Sequence, residues 1–141
     1  IELDYSNEEE VETFIKKANY FSAPLEEIYK TFERKRPTVL RVKQFENNSQ
    51  NVSPDTKEIT IAFSRPLNGY NTGVDYGELG EAAFPKGTLN GRYWTEDNTE
   101  WTIPVTLEPN TEYQIFITNN FRTADDIPLK PYLIAFKTNN R

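Results

Sequence analysis

The chain has 141 residues, 36% of them hydrophobic and 13% aromatic, with 16 basic and 22 acidic side chains and a net charge of -6. That negative field opposes the phosphate attraction behind most nucleic-acid affinity, so no nucleic-acid partner is expected. Histidine and cysteine are absent, which removes the usual general base near neutral pH, the usual zinc ligands, the Ser-His-Asp and Cys-His nucleophile systems and disulfide chemistry.

An enzyme would be left with a carboxylate pair, a lysine or a hard metal. None of these is convincingly assembled, and the sequence carries the expectation of no catalytic residue, no cofactor and no metal. The length suits one domain, or one domain with an appendage, that buries its core without staples. No apolar run approaches the roughly 20 residues that cross a bilayer, so no membrane span is expected. The chain starts at Ile1 and contains no methionine, which suggests a processed or excised piece of a longer polypeptide.

Residues 1–36 read as helical. Ser6-Asn7-Glu8-Glu9 is a capping box, and Val11, Phe14, Ile15 and Ala18 follow at helical spacing. A second start at Ser22, with Pro24 in the first turn, leads into the stripe Leu25, Ile28, Tyr29 and Phe32. The run Lys30 to Arg36 reads as a solvated helix end in favourable contact with the helix dipole. Pro37 stops the helix. Two helices this short are marginal alone, so the hairpin is expected to dock on the rest of the chain or to be the tail of an upstream domain.

From Thr38 the period falls to two. Leu40 and Val42 alternate with Arg41 and Lys43, and Ile59, Ile61 and Phe63 with Thr60 and Ala62. Trp101, Ile103 and Val105 alternate with Thr102 and Pro104, Tyr113, Ile115 and Ile117 continue the pattern, and a last strand runs from Tyr132 to Thr138. Turn clusters such as Asn47-Asn48-Ser49, Ser53-Pro54-Asp55 and Glu96-Asp97-Asn98 separate the runs. Short strands with polar turns and no intervening helix predict an antiparallel β-sandwich over 37–141. Its inner faces should carry Ile59, Ile61, Phe63, Ile103, Val105, Ile115, Ile117 and Phe136. Residues 70–91, glycine-rich and weakly alternating, read as an irregular excursion or a ragged edge hairpin.

The decapeptide Ile59 to Asn68, a strand ending in Phe63-Ser64-Arg65-Pro66, resembles the bacterial Ig-like domains of surface-layer and other envelope proteins. The resemblance continues through Trp101 to Tyr113 and closes with Pro128-Leu129 and Phe136-Lys137-Thr138, covering Pro37 to the C-terminus. It implies a sandwich of about seven strands, a place in a longer secreted polypeptide, an extracellular, periplasmic or cell-envelope location, and no catalytic site. The partners it implies are other domains of the same polypeptide or an envelope protein. The two helices in front and the insert-like stretch Gly73 to Gly91 depart from the pattern. Independently of any family, Leu107-x-Pro109-x-Thr111-x-Tyr113 sets a turn before a strand and lets the Tyr113 hydroxyl return to an upstream backbone group, a tyrosine corner.

Trp94 and Trp101 flank the Asp97-Asn98 turn and should face each other across a four-residue loop. Facing solvent, with Tyr70, Tyr76 and Tyr93, they would form a stacking platform for a glycan; facing inward, they fill the core, the reading favoured because large aromatics dominate sandwich cores. Asp75, Glu78 and Glu81 could offer oxygens to calcium but lack the dense alternation of a dedicated loop, and read as solvated. Asp125-Asp126 reads as a turn. The leading expectation is a non-catalytic Ig-like accessory module serving as spacer or protein-interaction domain. Its rivals are a carbohydrate-binding module and an accessory domain of a larger secreted enzyme.

Overall fold

The computed structural model describes residue 30 and residues 34–140. The expected helical hairpin lies outside the described residues, apart from Lys30 and the residues from Arg34 to Arg36. Among the described residues the chain forms seven strands: β1 Val39–Val42, β2 Glu58–Phe63, β3 Val74–Asp75, β4 Tyr93–Trp94, β5 Glu100–Pro104, β6 Glu112–Ile117 and β7 Tyr132–Lys137. They build two antiparallel sheets, one ordered β1-β2-β5-β4 and the other β3-β6-β7. One 3-10 turn spans Glu81–Ala83.

Alternation decides which faces meet. Ile59 pairs with Ile103 and Ile61 with Trp101 in the first sheet, and Tyr113 with Phe136 and Ile115 with Ile134 in the second. All eight inner-face residues expected from the sequence are buried, and together with Trp101, Tyr113, Phe121, Leu129 and Ile134 they form one core cluster between the sheets. Clearing a side chain of this size from water contributes about 1.5–3 kcal/mol. β-sandwich architecture follows from that shared core.

The opposite face of the first sheet is more enclosed than alternation alone implies. Thr60 and Thr102 are buried and their hydroxyls bond each other at 2.9 Å. The Gln44 amide brackets Thr60, donating to its hydroxyl and accepting from its N–H, while a Lys43–Glu100 ion pair and a Tyr93–Glu58 contact lie across the same face. Long polar side chains thus cover small ones while keeping their own heads in water.

The structure departs from the sequence reading at two places. Leu40, which the alternation puts on the same face as Val42, is 56% exposed while Val42 is buried, because a bulge between Val39 and Arg41 inserts Leu40 as an extra residue and turns it outward. The stretch from Gly73 to Gly91 is no insert: Val74–Asp75 is the third strand of the second sheet, and Lys86 bridges Thr106 on the way to β4. Turn chemistry closes the remaining connections. Asn48, Asn98, Asn110 and Asp126 all adopt positive φ, the left-handed conformation that Asn and Asp tolerate best among residues with a side chain.

The two ends of the sandwich differ. Residues 34–38, the β2–β3 loop, the β4–β5 turn and the β6–β7 loop share one end, where Leu67 N–H donates to Asn98 O and Asn68 N–H to Arg122 O. This is where the chain enters. It leaves from the opposite end, where Asn110 N–H bonds Asn139 O and Thr138 N–H bonds Thr111 O.

Candidate functional site

The aromatic residues singled out in the sequence do not converge on one surface. Trp94 and Trp101 are paired across β4 and β5, as the four-residue loop requires, with ring centroids 6.3 Å apart. Their shared side is the inner one: Trp101 is 2% exposed and meets Phe121 edge-on at 5.1 Å, and Trp94 lies 5.9 Å from Phe63 and 6.0 Å from Phe121. The Arg92 guanidinium sits over the Trp101 ring at 5.5 Å and donates to Thr88 O. Trp101 is therefore a core residue, and Trp94 packs half-buried against the core beside it.

The tyrosines go elsewhere. Tyr93, one residue from Trp94 on a strand, points to the other face of the sheet and is half exposed. Tyr76 meets Phe84 edge-on at 5.4 Å. Tyr70 is 76% exposed, in a loop stiffened by the Asn68 side chain, whose carbonyl accepts from the N–H groups of Tyr70 and Asn71.

The acidic residues serve turns. Asp75 Oδ1 accepts the N–H of Tyr76, and Glu78 and Glu81 are exposed. Among the described residues no three acidic side chains are placed to share a cation. Asp125 accepts the Thr123 hydroxyl at 2.6 Å inside the turn closed by Asp126 N–H to Thr123 O. That hydroxyl, with help from the Arg65 and Lys35 charges, holds the Asp125 carboxyl below its usual range. Asp97 is lowered in the same way by the hydroxyls of Thr99 and Thr95. A carboxylate that accepts hydrogen bonds as an anion gives up its proton more readily.

Tyr113 behaves as its spacing predicts. Its hydroxyl accepts the N–H of Glu108 at 2.7 Å while the ring stacks on Phe136 at 5.4 Å. The corner joins β5 to β6 across the two sheets.

Two constellations escaped the sequence reading. Arg36, taken there for part of a solvated helix end, donates to Pro128 O at 3.2 Å and Leu129 O at 3.0 Å. Around it Lys130 N–H bonds Pro37 O, Arg65 donates to Lys35 O and Thr38 N–H donates to the Ser64 hydroxyl. The incoming chain is thereby tied to both loops of the entry end. The second constellation lies along β7. Asn47, read as a turn residue, reaches the edge of β7 with its side-chain amide, donating to Leu133 O at 2.9 Å and accepting from Ala135 N–H at 2.8 Å. Residues 48–52 continue beside the strand through Asn48 N–H to Ala135 O, Lys137 N–H to Ser49 O and Val52 N–H to Lys137 O, ending in a parallel bridge between Val52 and Thr138. A run of Asn and Ser after a strand signals a turn equally well, so only the partner strand reveals this role.

No family model matches the chain, and no curated protein does. Among solved structures, CopC from Methylosinus trichosporium OB3b superposes with a TM-score of 0.53 at 10% identity, over 74% of this chain and 94% of that one. Domains 1-6 of the surface layer protein SbsC match at a TM-score of 0.45 and 15% identity, over 83% of this chain and 16% of that one. The native conformation of E. coli alpha-2-macroglobulin matches at 0.48 and 15%, over 76% of this chain and 6% of that one. This chain thus spans a small fraction of the surface-layer and macroglobulin chains, and at these identities the likeness to CopC concerns the fold alone: the chain shares a β-sandwich fold with it.

Proposed function

We propose that residues 37–141 are a non-catalytic, Ig-like in-line module of a bacterial envelope or secreted polypeptide, holding neighbouring segments apart at a set distance and angle. The observation that carries this reading is the placement of the chain ends. The strand order β1-β2-β5-β4 against β3-β6-β7 brings the chain in at one end of the sandwich and out at the other, as a spacer in series requires. The strand order also supports the Ig-like reading, since a constant-type immunoglobulin sandwich pairs its first, second, fifth and fourth strands in one sheet and its third, sixth and seventh in the other. The side chains the fold immobilises support the non-catalytic reading: Arg36, Arg65, Asn47 and Tyr113 all bond backbone groups, which is structural work. Among the described residues no helix is long and apolar enough to cross a membrane.

The test is a domain exchange in the parent polypeptide. Replacing residues 37–141 with an unrelated sandwich of the same span should preserve the parent's assembly or activity, whereas deletion should not. An exchange that fails as completely as the deletion would assign a specific binding role to this surface and reject the spacer reading.

A further inference from the structure

We infer that the contact between residues 47–52 and β7 is a shear clamp that makes this module a tension-bearing link. The inference rests on the in-line reading above and adds a mechanical property to it. The chain enters beside β1, whose continuation is the 47–52 segment, and leaves through the far end of β7. Tension applied at the two ends drags 47–52 toward the entry end and β7 toward the exit end. The two run parallel, so the load lies along both strands and across the bonds between them. Bonds loaded across their axis share the force and must fail together, whereas bonds at the fork of a peeling hairpin fail one after another.

Six bonds stand in this row. They are the two made by the Asn47 amide, Asn48 N–H to Ala135 O at 2.7 Å, Lys137 N–H to Ser49 O at 2.8 Å, Val52 N–H to Lys137 O at 3.1 Å and Asn139 N–H to Val52 O at 2.9 Å. Asn47 matters most because it sits at the entry-side end of the row and fills both an acceptor and a donor of β7, imitating a backbone peptide. The Phe45 ring next to it lies 4.5 Å from the Phe136 ring, so the segment is held by packing as well. At the entry end, the Arg36 bonds to Pro128 O and Leu129 O oppose the same pull.

The experiment holds the full chain between handles at its two termini and measures the lifetime of the sandwich under constant load, a quantity governed by the unfolding rate. Asn47→Ala should shorten that lifetime about tenfold, and Asn47→Asp, which keeps the acceptor for Ala135 N–H but sets a carboxylate oxygen against Leu133 O, at least as much. Tyr113→Phe removes a bond of similar kind away from the loaded row and should stay within about twofold of the parent, even where urea shows it equally destabilised. A parental lifetime for both Asn47 variants, or a Tyr113→Phe lifetime as short as that of Asn47→Ala, would overturn the clamp. Those outcomes concern the bonds of this chain alone, whereas failure of the domain exchange rejects the spacer role whatever the lifetimes are.

Discussion

The strands β2, β5, β6 and β7 and the stretch 64–92 are built on different principles. The four strands carry five or six residues each, turn large apolar side chains inward at every second position, and pair over five or six registered positions at the two central ladders. The stretch 64–92 contains one strand of two residues, β3, leads into another, β4, and stays in place through single long-range bonds. Thr118 donates its N–H and its hydroxyl to Gly73 O, Asn120 donates to Thr72 O, and Leu79 N–H reaches Gln114 Oε1. Apolar periodicity organises the first region. In the second, β6 and the residues after it supply side chains that grip a passing backbone, so its conformation is borrowed from a distant part of the sequence.

That contrast can be broken by mutation. Trp101→Ala, at the centre of the alternating region, should cost about 3–5 kcal/mol in urea denaturation, against a change within about 0.5 kcal/mol for Tyr70→Ala or Leu89→Ala on the surface; a mild Trp101→Ala would mean the aromatic cluster is loosely packed. Gly73→Ala probes the borrowed region, because an added Cβ would collide with the Thr118 hydroxyl and come within 2.8 Å of Asn120 Cβ. It should cost about 1–3 kcal/mol, with hydrogen exchange rising first around residues 72–75. If exchange rises uniformly over the whole sandwich, the two regions unfold as one unit.

Tyr113→Phe sharpens the comparison at the corner between the sheets. Losing the bond from Glu108 N–H should cost about 0.5–1.5 kcal/mol, and Tyr113→Ala about 3–5 through the cavity as well; a Phe variant as stable as the parent would show that Glu108 N–H finds water instead. The smallest effect concerns Asp125. Its carboxyl titrates lower in the folded chain than in the unfolded one, chiefly because of the Thr123 hydroxyl. Its contribution is therefore full above the ordinary Asp value of about 3.9 and fades as pH falls through the depressed folded value. Asp125→Ala should lower the Tm slightly at pH 7, with the gap closing in acid; a constant gap across that range would place the effect in the uncharged contacts of the turn.

How much of this was legible in the sequence follows the same division. The alternation of Ile59, Ile61, Phe63, Ile103, Ile115 and Ile117, the pairing of Trp94 with Trp101 on one face of a hairpin, the Tyr113 corner and the Asp125 turn could all be read locally. Each depends on residues within a few positions of one another, where strand pleat and turn geometry leave little choice. The exposure of Leu40, the third strand at Val74 and the roles of Asn47 and Arg36 could not be read, since none has its cause nearby. A bulge in pairing with β2 turns Leu40 outward, β6 defines Val74 as a strand, and the backbone of β7 and of the loop before it supplies the partners of Asn47 and Arg36. By itself the sequence determined which faces are apolar and where the chain turns, because those are properties of side-chain spacing. Only the tertiary structure decided which edges are covered and at which end the chain enters, because unpaired backbone groups are alike along every strand and acquire a partner only when a distant segment is brought beside them.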